Sequence, residues 1–132
     1  MSEIHELSVR VYYEDTDAMS IVYYANYLRY AERARTEMLL AGGFDHAEEF
    51  KKTGIGFAVA AVEVSYKLPA RLGDTLTVKT KPIKLGGASV KLQQNIYRGD
   101  ELVTEMDVTL VCVCGKMKTQ KIPQEVREIF KA

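Results

Sequence analysis

The sequence predicts an α+β domain in which an antiparallel sheet packs on one long helix. Three observations carry that prediction. A segment alternating apolar and polar residues near the N-terminus is followed by one long stretch with helical periodicity. Four more strand-like segments then follow in succession, most of them separated by glycine-containing turns. No internal repeat, low-complexity segment or linker interrupts this order, so the 132 residues are expected to form one domain, 1–132, with one core and one site.

Leu7, Val9, Val11 and Tyr13 alternate with Ser8, Arg10 and Tyr12, the period of a half-buried strand over residues 7–13. A polar, turn-like stretch, 14–20, comes next. Asn26, a residue type whose side-chain oxygen caps helices, precedes Tyr27, Tyr30, Ala31, Ala34, Met38 and Ala41 at spacings of three and four, the stripe of an amphipathic helix. Gly42 and Gly43 end that helix. Residues 45–52 read as a short helix, after which Gly54 and Gly56 lead into an apolar strand over 57–64. Further strands are predicted over 75–81, 89–97 and 102–114, and a last short helix begins near Pro123.

The faces of these strands differ. Val90, Leu92, Gln94 and Ile96 oppose Ser89, Lys91, Gln93, Asn95 and Tyr97, which gives that strand one wet face. By contrast 57–62 is apolar at every position, and Val108, Leu110, Cys112 and Cys114 oppose Thr109, Val111 and Val113, so these strands are expected to be covered on both faces. One helix covers only one face of a sheet. The apolar area left over would be an exposed patch in a monomer, and such patches mark interfaces, so a homo-oligomer is expected.

The composition, 47% hydrophobic and 27% charged with 18 basic against 18 acidic residues, excludes a disordered chain and a general nucleic-acid binder. The N-terminus lacks the basic and apolar regions of a secretory signal, and no apolar run reaches the roughly 18 residues of a membrane span, so a cytoplasmic protein is expected. Cys112 and Cys114, two apart on a strand, point the same way and read as reduced thiols in the core. With no second cysteine pair, and with His5 and His46 isolated, neither a metal nor another cofactor is expected.

The densest cluster of chemically distinctive residues runs from Tyr12 through Tyr13, Glu14, Asp15, Thr16 and Asp17, then from Ile21 to Tyr27. It lies where a strand gives way to the long helix. A helix N-terminus offers unpaired N–H groups and a positive dipole end that polarise a carbonyl oxygen, and a carboxylate opposite them completes what attack on an acyl group requires. Residue types and spacing alone leave a second reading open. The acids also suit turns and caps, and the tyrosines suit packing.

The stretch Val11-Tyr-Tyr-Glu-Asp-Thr-Asp17, then Val22-Tyr-Tyr-Ala-Asn-Tyr27 and Glu32-Arg-Ala-Arg-Thr-Glu37, resembles the signature of the 4-hydroxybenzoyl-CoA thioesterase family and its Tol-Pal-associated acyl-CoA thioesterase branch. The later Tyr66-Lys-Leu-Pro-Ala70 with Gly73-Asp74 is similar to the same family's next strand, so the likeness covers nearly the whole chain. The resemblance implies a hotdog fold, a curved antiparallel sheet of about five strands wrapped around one long helix. It also implies sheets joined between subunits as a dimer or homotetramer, and a site between subunits.

The resemblance further implies hydrolysis of acyl-CoA to free acid and coenzyme A. Asp17 would act as nucleophile or general base, and the backbone N–H of Tyr24 would hold the thioester oxygen. Coenzyme A would belong to the substrate and would need cations near the Gly86-Gly87 turn, for which Lys84 and Lys91, with the Ser89 hydroxyl, are the nearest candidates. Two positions depart from the branch: many members carry histidine at Tyr24 and glycine at Ser20. Glu32, Arg33, Arg35 and Glu37 are spaced for ion pairs on the helix surface or between subunits. The alternative function is a non-hydrolytic acyl-thioester binding module of the same fold.

Overall fold

The computed structural model describes residues 4–131. In chain order it comprises β1 (His5–Arg10), a 3-10 turn (Tyr13–Asp15), α1 (Asn26–Ala41), α2 (His46–Thr53), β2 (Gly56–Tyr66), β3 (Thr75–Leu85), β4 (Ser89–Arg98), β5 (Glu101–Val113) and α3 (Gln124–Lys131). The strands form one antiparallel sheet of five in the order β1-β3-β4-β5-β2. Register shifts at Val59/Ala61, Pro82/Lys84 and Ile96/Tyr97 mark bulges, which bend a sheet and raise its twist.

The helix stripe read from the sequence is the face that packs on the sheet. Tyr30, Ala31 and Ala34 are completely buried, and the two small alanines let α1 pack closely on β1 and β3, in one core with Leu76, Val78 and Leu92. Val126 and Phe130 of α3 close the same core. Gly42 follows α1 and Gly43 takes φ +94°, as the end of that helix requires.

Three expectations are corrected. The first strand ends at Arg10 rather than at residue 13, because the chain turns through Tyr13–Asp15; Val9 and Val11 stay buried while Tyr13 is 83% exposed. Asn26 does not cap α1. It is the helix's first residue, Ala25 occupies the cap position with no side-chain hydrogen bond, and the Asn26 amide is engaged elsewhere. Arg35 does not sit in a surface ion-pair ladder. Among the described residues Glu32, Arg33, Arg35 and Glu37 form no ion pair with one another, and Arg35 reaches inward to donate to Gln94 Oε1 at 2.9 Å.

Gln94 is completely buried in the middle of β4, and its other end donates to Ala31 O at 2.9 Å and to Thr80 Oγ1 at 3.0 Å. A buried amide is tolerated only when its donors and acceptor are satisfied, so Gln94 and Arg35 hold α1 to the sheet in one register. The apolar strand β2 lies at the edge of the sheet. Val59 and Val62 lie opposite the core residues Leu110 and Val108 yet are 52% and 40% exposed, so even the core-side face of this edge strand is incompletely covered within one chain.

Replacing Gln94 by Met keeps the volume and removes all three hydrogen bonds. We expect Gln94→Met to lower the free energy of unfolding by about 1–3 kcal/mol, read as a lower denaturant midpoint at unchanged slope.

Candidate active site

The end of β1 is tied to the start of β3. Val11 N–H donates to Asp74 O at 2.8 Å, and Gly73 N–H donates to Val11 O at 3.0 Å. The 3-10 turn that follows is organised by Asp15, which is only 6% exposed. Its Oδ2 accepts from Tyr12 N–H at 2.8 Å and its Oδ1 from the Asn26 amide at 3.0 Å. The Asp15 carbonyl accepts Tyr23 N–H at 2.9 Å. The first bond closes the turn, and the other two join this loop to the entry of α1.

Between Asp15 and Tyr23 the chain makes a tight hairpin. Thr16 and Val22 form an isolated antiparallel bridge, Asp17 N–H donates to Ile21 O at 2.9 Å and Ser20 N–H to Asp17 O at 3.0 Å. Ser20 takes φ +61°, a left-handed conformation that glycine adopts freely and serine at a cost. The hairpin keeps the geometry of a glycine turn with a serine in place. It is pinned from below, since Leu72 N–H donates to Ser20 O at 3.1 Å and Val22 N–H to Ala70 O at 2.9 Å.

Asp17 is presented by that hairpin and is exposed. Its Oδ1 accepts Met19 N–H at 2.8 Å, a local turn bond that orients the carboxylate. Tyr24 sits one residue past Tyr23, so Asp17 and Tyr24 flank the same Tyr23-to-Asp15 backbone bond. Tyr66 Oη donates to Tyr24 O at 3.2 Å, and Asn26 N–H donates to Tyr23 O at 2.8 Å. Among the described residues the Tyr24 N–H has no acceptor, and α1 begins with no side-chain cap. The hairpin that presents Asp17 thus leads within a few residues to the free Tyr24 N–H ahead of α1, and N–H donors at a helix entry are of the kind that stabilise charge developing on a carbonyl oxygen.

The support beneath the site is also polar and ordered. Tyr27 is buried, and its hydroxyl accepts Ala70 N–H at 3.1 Å; burial raises its pKa against the opposing effect of that bond. Tyr30 lies beside Asp15, and burial first and the neighbouring carboxylate second keep its phenol protonated. Desolvation alone would raise the Asp74 carboxyl, but Arg71 N–H at 2.9 Å and the Arg98 guanidinium at 2.8 Å outweigh it and hold the acid below its usual range.

The structure gathers Lys84, Ser89 and Lys91 around one shallow depression of about 260 Å³, with Gly86 and Thr109, and Lys84 pairs directly with Lys91 across the strands. It does not bring them to Asp17 within one chain. The Asp17 hairpin is tied to residues 70–72, before Thr75 opens β3, and Lys84 lies nearly the full strand away, about 30 Å at the rise of an extended chain. Among the described residues no group of three or more His, Cys, Asp or Glu is placed to hold a metal.

Sequence reasoning missed Asp15 and Asn26 as the bolt between loop and helix. Nothing in the residue types separates Asp15 from Asp17, two acids in one polar stretch. Ser20 could be singled out only through the glycine of the resembling branch.

The model of the thioesterase-like superfamily matches residues 11–130. An acyl-CoA thioesterase YbgC from Haemophilus influenzae is 38% identical over 123 residues, 92% of this chain and 90% of the relative. An acyl-CoA thioester hydrolase YbgC from Escherichia coli is 40% identical over 125 residues, 93% and 92% of the two chains. Among solved structures, a probable thioesterase from Bartonella henselae superposes with a TM-score of 0.88 at 30% identity, covering 92% of this chain and all of that one.

Ser20→Gly should relieve the left-handed strain at the hairpin and, net of glycine's larger backbone entropy, raise stability by about 0.5–1 kcal/mol. Chemical denaturation checks this; unchanged or lower stability would mean that the serine side chain stabilises the turn.

Proposed function

The chain belongs to the thioesterase-like superfamily, and from that membership we propose that it hydrolyses acyl-CoA thioesters to free acid and coenzyme A with Asp17 as the catalytic carboxylate. The observation that supports the reading is the exposed Asp17 carboxylate, oriented by Met19 N–H on the hairpin that leads into α1, with the Tyr24 N–H ahead of that helix left without an acceptor among the described residues. The thioester carbonyl oxygen would accept the Tyr24 N–H while Asp17 attacks the carbon or removes a proton from attacking water. General-base assistance contributes on the order of 10² to 10⁴ in rate and one oxyanion donor on the order of 10² to 10³, enough for an activated thioester without a metal.

The complete site is proposed to span two chains of a cytoplasmic homo-oligomer, a dimer or a tetramer built from it. β2 is an open edge with apolar side chains and a row of unpaired backbone groups. Antiparallel pairing of two β2 edges about a two-fold axis sets the Gly56 end of one strand against the Tyr66 end of the other. Tyr66 holds Tyr24 O, so the catalytic turn of one protomer meets its partner's Gly56 end. Lys84, Ser89 and Lys91 would hold the coenzyme A phosphates from across such an interface.

Free thiol release from short, medium, long and aryl acyl-CoAs tests the reading. Asp17→Asn should stay folded and lose at least about 10² in turnover; no hydrolysis by folded wild-type protein would favour a binding module instead. Val62→Glu places a charge on the β2 edge, and light scattering should then show a smaller assembly than for wild type; a monomeric wild type at micromolar concentration would refute the pairing.

A further inference from the structure

Between α1, α2 and the paired β2 and β5 lies a cavity of about 580 Å³ whose lining includes no residue of the Asp17 hairpin. Its deep wall is apolar, with Leu39 and Leu110 buried, and its rim carries Phe50, Val59 and Met117, all exposed. Besides Glu32 and Thr36, two polar groups, Arg35 and His46, interrupt this lining. Arg35 gives one guanidinium N–H to Gln94 Oε1 and, among the described residues, has no carboxylate at ion-pair distance. His46, at the start of α2, packs its ring against Phe44 and Phe57 with centroids 5.4 and 6.1 Å away, and its Nε2 is buried with no hydrogen-bond partner.

Burial, and then the nearby Arg35 charge, hold the His46 imidazole below its usual pKa, so at neutral pH it is an uncharged group with an unmet hydrogen bond. An unpaired, partly desolvated guanidinium and an orphaned ring nitrogen are both unfavourable in an apolar cavity, and one anionic acceptor would satisfy both. Glu32, which lines the same cavity but is exposed and pairs with neither group, is the only acid among the lining residues. It favours the charged Arg35 at a distance and would repel a bound anion.

We infer that this cavity receives the acyl chain of the substrate and that Arg35 and His46 select chains ending in a carboxylate, the half-thioesters of dicarboxylic acids. The inference rests on the hydrolytic reading above and on β2 pairing, which sets the Gly56–Val59 rim of the cavity against Tyr24 of the partner subunit. The chain then enters past the apolar rim and its carboxylate meets the guanidinium and the imidazole at the inner wall.

The test compares kcat/KM for adipyl-CoA and hexanoyl-CoA, equal in carbon number and different in the terminal group, in wild type, Arg35→Met, His46→Leu and Glu32→Gln. Wild type should prefer the adipyl thioester by about tenfold or more, the gain of a charge-assisted pair over a methyl group. Arg35→Met and His46→Leu should bring the ratio toward one or below, and Glu32→Gln should widen it. Because Arg35→Met also disturbs Gln94, His46→Leu decides if that variant fails to fold. Calorimetry of free adipate against free hexanoate on the wild-type oligomer gives a reading without turnover, with adipate binding the tighter. A wild-type ratio at or below one, or a preference untouched by His46→Leu, overturns the inference. Asp17-dependent hydrolysis of hexanoyl-CoA without adipyl preference removes the inference and leaves the hydrolase standing; no hydrolysis of either thioester by folded protein removes both.

Discussion

The buried carboxylate of Asp15 is the constraint on which the site depends. Burying an acid is unfavourable unless its oxygens are occupied, and here Tyr12 N–H takes one and the Asn26 amide the other. Those two donors come from opposite sides of the loop, so satisfying the acid fixes the distance between the end of β1 and the start of α1. The engagement of Asn26 has a second result. A side chain of the type that would cap the helix is turned toward Asp15, and α1 begins with no side-chain cap, Asn26 and Leu28 N–H turning back to the Tyr23 and Ala25 carbonyls while the Tyr24 N–H just ahead has no acceptor among the described residues. A helix optimised for its own stability would carry a side-chain cap at that end; this one does without it.

The same economy runs through the floor of the site. Residues 70–74 lie under the Asp17 hairpin and carry little apolar weight, so they are held by polar bonds: Tyr27 Oη to Ala70, Arg98 to Asp74 and to Pro69 O, Asp74 to Arg71 N–H. The hairpin can therefore carry a non-glycine residue at φ +61° without losing its form, because its carbonyl and neighbouring amides are already committed below. Rigidity there comes from satisfied backbone groups, and it is what lets an exposed carboxylate keep one orientation.

Most of the architecture is legible in the sequence because it follows from local period. The α1 stripe, the alternation of β4 and the glycine-marked turns each depend on neighbours within a few residues. What was not legible depends on partners far along the chain. The early end of β1 follows from Asp15 meeting a residue eleven positions on, and the inward turn of Arg35 from Gln94, fifty-nine positions on. The continuation of β3 past Pro82 is likewise set by pairing with β4 through a bulge. At the site, spacing left the acids open to a structural or a chemical role. The structure gives the buried, doubly bonded role to Asp15 and leaves Asp17 exposed, and the choice of Asp17 as the reacting acid rests on the family resemblance.

The exposed aromatic surface of the single chain becomes intelligible with the open edge. Tyr12, Tyr13, Tyr23, Tyr24 and Tyr66 are all exposed, clustered around the hairpin and the end of β2, and β2 itself presents valines where an isolated edge strand would carry lysine or proline. Apolar area of that extent beside an unpaired edge is stable in water only when something covers it. A second copy paired along β2 would cover the valines and bring its cavity rim to the tyrosines in one step, because antiparallel pairing joins opposite ends of the strand. The length of β3 that separates the floor of the Asp17 hairpin from Lys84 within a chain would then be no obstacle to a common ligand, since the two need not come from the same protomer.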